Sequence, residues 1–214
     1  MRVAIAGGHG QIALRLARIL SQRGDQVVAI IRNPDHASDI REAGAELAVV
    51  DLEQASEDDV ARAITGSDAV VFSAGAGPGS GAARKETMDY GGAVKLIAAA
   101  KQAGVSRYVI VSSMGANPDA PGDDTFSVYL RAKGRADDAV RASGLYATVV
   151  RPGGLTNDPG TGRVALAEGL RFGQVPRDDV AAVLATVLNS PNTIGRTMDL
   201  IGGDTPIDEA VAAI

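Results

Sequence analysis

Apolar residues fall in two alternating patterns along the chain. Short runs, Val3–Ala6 in a strand starting at Arg2, Gln26–Ile31, Glu46–Val50, Asp68–Phe72, Tyr108–Val111 and Ala147–Val150, read as strands, and the nearly continuous apolar Gln26–Ile31 suits a parallel strand covered on both faces. Between them, apolar positions recur at helical spacing. The first such stretch carries Ile12, Leu16, Ile19 and Leu20, and a short one over Ala37–Ala43 follows Pro34. A third is opened by Ser56-Glu57-Asp58-Asp59 and ends near Gly66. The longest is expected over Lys85–Ala103, with Gly104 as its C-cap, and a further helix over Ser127–Ala142 follows the Pro-, Gly- and Asp-rich loop Asn117–Asp124. The tail predicts a short strand at Arg163–Leu166, a helix at Arg177–Leu188 and a last strand at Thr197–Ile201. Regular alternation of strand and helix implies an α/β doubly wound parallel sheet with right-handed crossovers.

With 214 residues and neither linker nor internal repeat, a single domain over 1–214 is expected, residues 151–214 contributing the substrate side. A net charge of −5, with Lys and Arg scattered, argues against a nucleic-acid binder. The absence of Cys removes disulfides, thiolate nucleophiles and cysteine metal sites, and no metal centre is expected. A strand beginning at Arg2 leaves no room for a signal peptide and no apolar run reaches membrane-spanning length, so the expectation is a cytoplasmic protein with a small-molecule substrate and no membrane partner. Oligomeric state is not legible.

Candidate chemistry begins where the first strand runs through Gly7-Gly8-His9-Gly10-Gln11-Ile12-Ala13 into a helix. Glycine gives the turn its backbone freedom, and the helix N-terminus offers unpaired N–H groups and partial positive charge to a pyrophosphate, as in a Rossmann-type dinucleotide fold. The end of the second strand then selects the cofactor. A carboxylate there favours NAD, whereas Arg32 can pair with a 2′-phosphate, so NADP is favoured over NAD. Asp25 precedes that strand and reads as a turn residue. After the third strand, the Asp51 carboxylate could accept from an adenine amino group and Leu52 could cover the ring. After the fourth, Ala74-Gly75-Ala76 lets a nucleotide lie against the backbone.

Ser112-Ser113 ends the fifth strand, and Tyr129 and Lys133 follow on the next helix at a spacing of four that puts both on one face. An ammonium near a tyrosine stabilises the phenolate, letting tyrosine exchange a proton near neutral pH while a serine hydroxyl orients a carbonyl.

Together these residues resemble the short-chain dehydrogenase/reductase family, in its atypical NAD(P)-binding branch related to the extended epimerase/dehydratase group and to NmrA-like proteins. The resemblance covers nearly the full length. Beyond the glycine turn it is carried by Ile31-Arg32-Asn33-Pro34, Asp51-Leu52, Asp89-Tyr90, Gly104–Val109, Ser112–Ala116, Tyr129–Lys133, Arg151–Thr156 and Pro176–Ala181. It implies that Ser113 polarises the substrate and Tyr129 is the general acid/base. Lys133 would bind the nicotinamide ribose and tune Tyr129, and Pro152 and Gly153 would border the nicotinamide, alongside Ser112 at the cofactor. Ala13 stands where a third glycine is frequent, and His9 either adds a donor near the pyrophosphate or faces solvent. The residues after the sixth strand are too few for the sugar-nucleotide domain of the extended enzymes, so their substrates do not carry over. Two activities remain open: an NADPH-dependent oxidoreductase acting on a small carbonyl or quinone-like acceptor, and a non-catalytic NADP(H) sensor reporting to a protein partner. A flavin or haem-breakdown-product reductase shares the fold.

Overall fold

The computed structural model describes residues 1–77 and 79–214, so Pro78 of the expected small-residue loop lies outside the described residues. The elements follow one another as β1 (Arg2–Ala6), α1 (Gln11–Gln22), β2 (Gln26–Ile31), α2 (Ala37–Glu42), β3 (Glu46–Val49), α3 (Glu57–Ile64) and β4 (Ala69–Phe72). A single turn α4 (Ala82–Arg84) leads into a π-helix (Lys85–Gly92) continuous with α5 (Ala93–Gln102), then β5 (Arg107–Val111), α6 (Thr125–Arg141) and β6 (Tyr146–Pro152). The remainder is β7 (Gly154–Thr156), β8 (Arg163–Ala167), β9 (Gln174–Pro176), α7 (Arg177–Val187), β10 (Thr197–Gly202), β11 (Thr205–Pro206) and α8 (Ile207–Ala212).

The strands form a nine-stranded sheet in the order β11-β8-β10-β6-β5-β4-β1-β2-β3. The run from β3 to β10 is parallel, as the continuous apolar strands predict, whereas β8 pairs antiparallel with both β10 and β11. The short β7 and β9 pair parallel in a separate ribbon. Chain order reverses between β1 and β4, so their C-terminal ends splay apart and open a crevice. Strand residues alternate between two cores. Val3 and Ile5 of β1, Val27 and Ala29 of β2, and Val71 of β4 face one side, where α1 packs on α7. Ala4, Ala6, Val28, Ile30 and Phe72 face the other, covered by α3 and α5.

Two helix expectations need correction. The stretch Lys85–Ala103, expected to be the longest helix, is a π-helix running into α5, and the longest α-helix among the described residues is α6, of 17 residues. That helix begins two residues before Ser127 because the Asp124 side chain accepts from the backbone N–H groups of Phe126 and Ser127. Ser56 caps α3 through a reciprocal bond with Asp59, as its first-turn pattern predicts. The weakly patterned β7, β9, β11 and α8 were not anticipated. No helix among the described residues is long and apolar enough to cross a membrane.

Candidate nucleotide and substrate site

At the β1–α1 turn the chain folds so tightly that side chains are excluded. Gly7 has φ +78°, and a Cβ there would lie 2.5 Å from the Ala74 Cα; one at Gly8 would lie 2.6 Å from the Ala29 Cβ. The turn is closed by Gly10 N–H donating to the Gly7 carbonyl at 2.8 Å. Gly10 then leads α1 without a side-chain cap, and the first turn holds no acidic residue. An uncapped N-terminus of a twelve-residue helix, fronted by a surface stripped of side chains, suits an anion.

Two cavities meet at this turn and share Ser73, Ala74 and Gly75. The first, about 310 Å³, runs over Gly7, His9 and Gly10 toward Arg32, Asp51, Leu52 and Ala76. It therefore collects the residues expected at the pyrophosphate, 2′-phosphate and adenine. Gly8 lies outside the lining, pressed on Ala29, and Gln11 is exposed. Asp51 bonds the backbone N–H of Glu53 at 2.9 Å, and Leu52 is buried in the core.

Two features at this end had not been foreseen. His9 lines this cavity beside the turn, and its side chain, 33% exposed, is held by residues beyond β2. Its ring stacks on His36 with centroids 3.6 Å apart, and its Nε2 lies 2.7 Å from Asp39 Oδ2, holding that carboxyl below the usual range. Arg32 is 56% exposed at its side chain and reaches Glu53 only at 3.9 Å, whereas Arg84 pairs with Glu53 at 3.0 Å and also lines the cavity. Burial acts to raise the Glu53 pKa, but hydrogen bonds from Thr87 and Arg84 outweigh it and hold the carboxyl low.

The second cavity, about 530 Å³, lies over the C-terminal ends of β4 and β5 and is lined by Ile12, Ser112, Phe126, Tyr129, Lys133 and Leu155 among others. The expected helical pair is brought together, with Lys133 Nζ 5.8 Å from the half-buried Tyr129 ring centre. Lys133 is buried; its ammonium donates to the Val111 carbonyl at 3.1 Å and pairs with Asp89 Oδ1 at 3.3 Å. Asp89, 1% exposed, also accepts from Ala76 N–H at 3.1 Å, tying the loop after β4 to α6. Gly75 eases this approach, because a Cβ there would sit 3.1 Å from Asp89 Oδ1 and push the carboxylate back by a few tenths of an ångström. A second ammonium, Lys85 Nζ, lies 5.5 Å from the centre of the Tyr129 ring.

The serines divide. Ser113 is absent from both linings and donates to the Met114 carbonyl at 3.2 Å. Ser112 lines the second cavity, yet its Oγ is buried without a hydrogen-bond partner, as is Asp137 Oδ1. Burial pushes the Asp137 carboxyl up against the opposing pull of Ser112 and Arg151; Ser112 lies close enough to act on it but off hydrogen-bonding geometry. Pro152 and Gly153 do not line either cavity. They close the sheet, through Met114 N–H to the Pro152 carbonyl and Gly153 N–H to the Leu200 carbonyl, both at 2.9 Å.

Residues 7–191 match the family described as NAD(P)H-binding. The chain belongs to that family. A Bacillus subtilis protein named as the uncharacterized sugar epimerase YhfK is 39% identical over 212 residues, 99% of each protein. A solved structure from Bacillus halodurans, provisionally named an NAD-dependent epimerase/dehydratase, superimposes with a TM-score of 0.92 at 38% identity over the whole of both chains. ChuY of Escherichia coli O157:H7, an anaerobillin reductase, matches with a TM-score of 0.80 at 25% identity, covering 95% of this chain and 98% of its own. The glycine cradle that a Cβ would fill, the uncapped α1 and the two joined cavities fit a dinucleotide of this class.

Lys85 and Asp89 were the functional residues least visible beforehand. Asp89 had entered only through resemblance and Lys85 not at all. Their one signal is a spacing of four at the head of a helical stretch, which a charged solvent-facing pair shows equally well.

Proposed function

We propose that this NAD(P)H-binding protein is an NADPH-dependent oxidoreductase of the atypical short-chain dehydrogenase/reductase, NmrA-related type, acting on a carbonyl or quinone-like acceptor in the second cavity. The observation that carries the reading is Tyr129, set in the cavity lining with the buried Lys133 ammonium, held by Asp89, 5.8 Å from its ring centre. Arg32 and Arg84 at the far end of the first cavity support NADP over NAD. Gly7, Gly10, Ala74 and Gly75 would cradle the cofactor, which when bound supplies a hydride.

The chain's own work is then at the proton. Tyr129 holds it at the phenolic oxygen and passes it to the acceptor oxygen, while Lys133, fixed by Asp89 and the Val111 carbonyl, keeps positive charge beside the phenolate that forms. The reading does not rest on Ser113, whose hydroxyl would first have to leave the Met114 carbonyl. Leu155, from the segment after β6, contributes the substrate side of residues 151–214.

NADPH oxidation against a panel of carbonyl and quinone acceptors tests the proposal. Tyr129→Phe is expected to lower kcat by about 100-fold or more with little change in NADPH affinity. Undiminished turnover in that variant would remove the proton role. Tight NADPH binding without turnover on any acceptor would overturn the enzyme reading in favour of a sensor.

A further inference from the structure

The charge on the second cavity does not balance. Its lining contains two buried ammonium groups, Lys85 at 9% exposure and Lys133 at 4%, and a single carboxylate, Asp89. Asp89 is fully committed, one oxygen to Lys133 and the other to Ala76 N–H. The neighbouring Glu86 faces away and pairs with Arg135. Among the described residues Lys85 has no ion-pair partner; its ammonium donates to the Gly77 carbonyl at 3.0 Å and otherwise meets the face of Tyr129.

A buried cation can be satisfied by neutral groups alone, and this chain shows how. Arg107, equally withdrawn from water and also without a carboxylate, donates to Tyr146 O, Thr148 Oγ1, Val187 O and Thr193 Oγ1. Four oxygen acceptors surround it, and it lines neither of the two cavities. Among the described residues Lys85 sets three N–H donors against one protein oxygen, and it borders an open cavity. A desolvated ammonium left in that condition calls for an anion.

We propose that the molecule received by the second cavity carries a carboxylate or equivalent anionic group that pairs with Lys85. The inference rests on the oxidoreductase reading for its reacting carbonyl, and it narrows that reading to acidic acceptors. Lys85 and Tyr129 lie on facing elements, so the acid group and the carbonyl that takes the proton belong to neighbouring positions of one small molecule, as in a 2-oxo acid.

The test compares benzoylformate with its methyl ester as NADPH-dependent acceptors, using the wild type, Lys85→Met and Lys85→Arg. Benzoate and benzamide serve as binding probes by ligand-observed NMR in the presence of NADP⁺. In Lys85→Met the KM for benzoylformate should rise on the order of 10- to 100-fold, the ester should change by less than about twofold, and benzoate binding should be lost while NADPH affinity stays. Lys85→Arg should restore benzoylformate. A parallel loss for acid and ester, a loss of NADPH affinity, or wild-type protein that binds benzoate no better than benzamide would overturn the assignment. If neither acceptor is reduced, the oxidoreductase reading fails, while the benzoate comparison still decides the anion site.

Discussion

Removing the Asp89 carboxylate should expose how much the site depends on one buried pair. Asp89 is 1% exposed and its partner Lys133 has a side chain 5% exposed, so neither charge is screened by water. In Asp89→Ala the Lys133 ammonium keeps only the Val111 carbonyl and the faces of Phe72 and Tyr129, each centred 5.8 Å away. Leaving one member of a buried pair uncompensated costs about 3–5 kcal/mol. The orphaned Ala76 N–H adds less than its usual penalty, because the loop borders a cavity that water can enter. For a chain of this size a loss of about 3–5 kcal/mol lowers Tm by roughly 6–20 °C. Asp89→Asn, which keeps an acceptor for Ala76, should fall between wild type and Asp89→Ala. The chain has no Trp, so urea unfolding followed by far-UV circular dichroism reads the transition. Combined with Lys133→Met, the cycle isolates the pair: the double variant should lose about 1–3 kcal/mol less than the two single losses added together. A loss below about 1 kcal/mol in Asp89→Ala, or simple additivity in the cycle, would refute the view of a tightly coupled buried pair.

Arg32→Ala should weaken NADPH binding about tenfold, the low end for a charged contact because the side chain is 56% exposed, and leave NADH unchanged; equal loss of both in a fluorescence titration would end the 2′-phosphate assignment. Glu53 titrates below the ordinary glutamate range in the folded protein, so the unfolded chain binds its proton more readily and stability rises with pH across that interval. Its contribution is complete above the ordinary range and disappears as pH falls through the folded value. The gap in urea midpoint between wild type and Glu53→Gln should therefore narrow from about pH 7 to about pH 3.5, and a gap independent of pH would rule this out.

The parts legible in the sequence are those where a single local rule dominates. Continuous apolar runs mark the central parallel strands, because burial on both faces leaves no polar alternation to blur them, whereas β3, at the sheet edge, has no fully buried residue. The glycine turn was legible because a Cβ at Gly7 or Gly8 has nowhere to go. Tyr129 and Lys133 were legible because one helix carries both. What stayed hidden depends on contacts between distant elements. His9 looked like a turn residue because its partners, His36 and Asp39, lie beyond β2. The resemblance gives the substrate role to Ser113 and a cofactor position to Ser112, and nothing local in the sequence says that Ser113 will bond the Met114 carbonyl while Ser112 lines the cavity. Lys85 and Asp89 resembled a solvated pair because nothing local says that Ala76 and Lys133 will close over Asp89.

The π-helix gives those hidden residues a common cause. In an α-helix, positions 85, 88, 89 and 92 make one stripe that would pack on one surface. In the wider π turns the same four buried residues diverge: Met88 lines the first cavity, Lys85 and Asp89 line the second, and Gly92 lies on the Phe72 ring. A Cβ at Gly92 would come within 3.2 Å of Met88 Sδ and 3.4 Å of the Phe72 ring, so the absence of a side chain lets the segment settle onto β4. Only from there can Asp89 reach both Ala76 N–H and Lys133, and Lys85 reach Gly77 and Tyr129. A helix of regular pitch would have to give up either the wall of the nucleotide cavity or one of the two charges in the other. The irregular segment keeps both, and so ties the wall of the first cavity to the charges of the second.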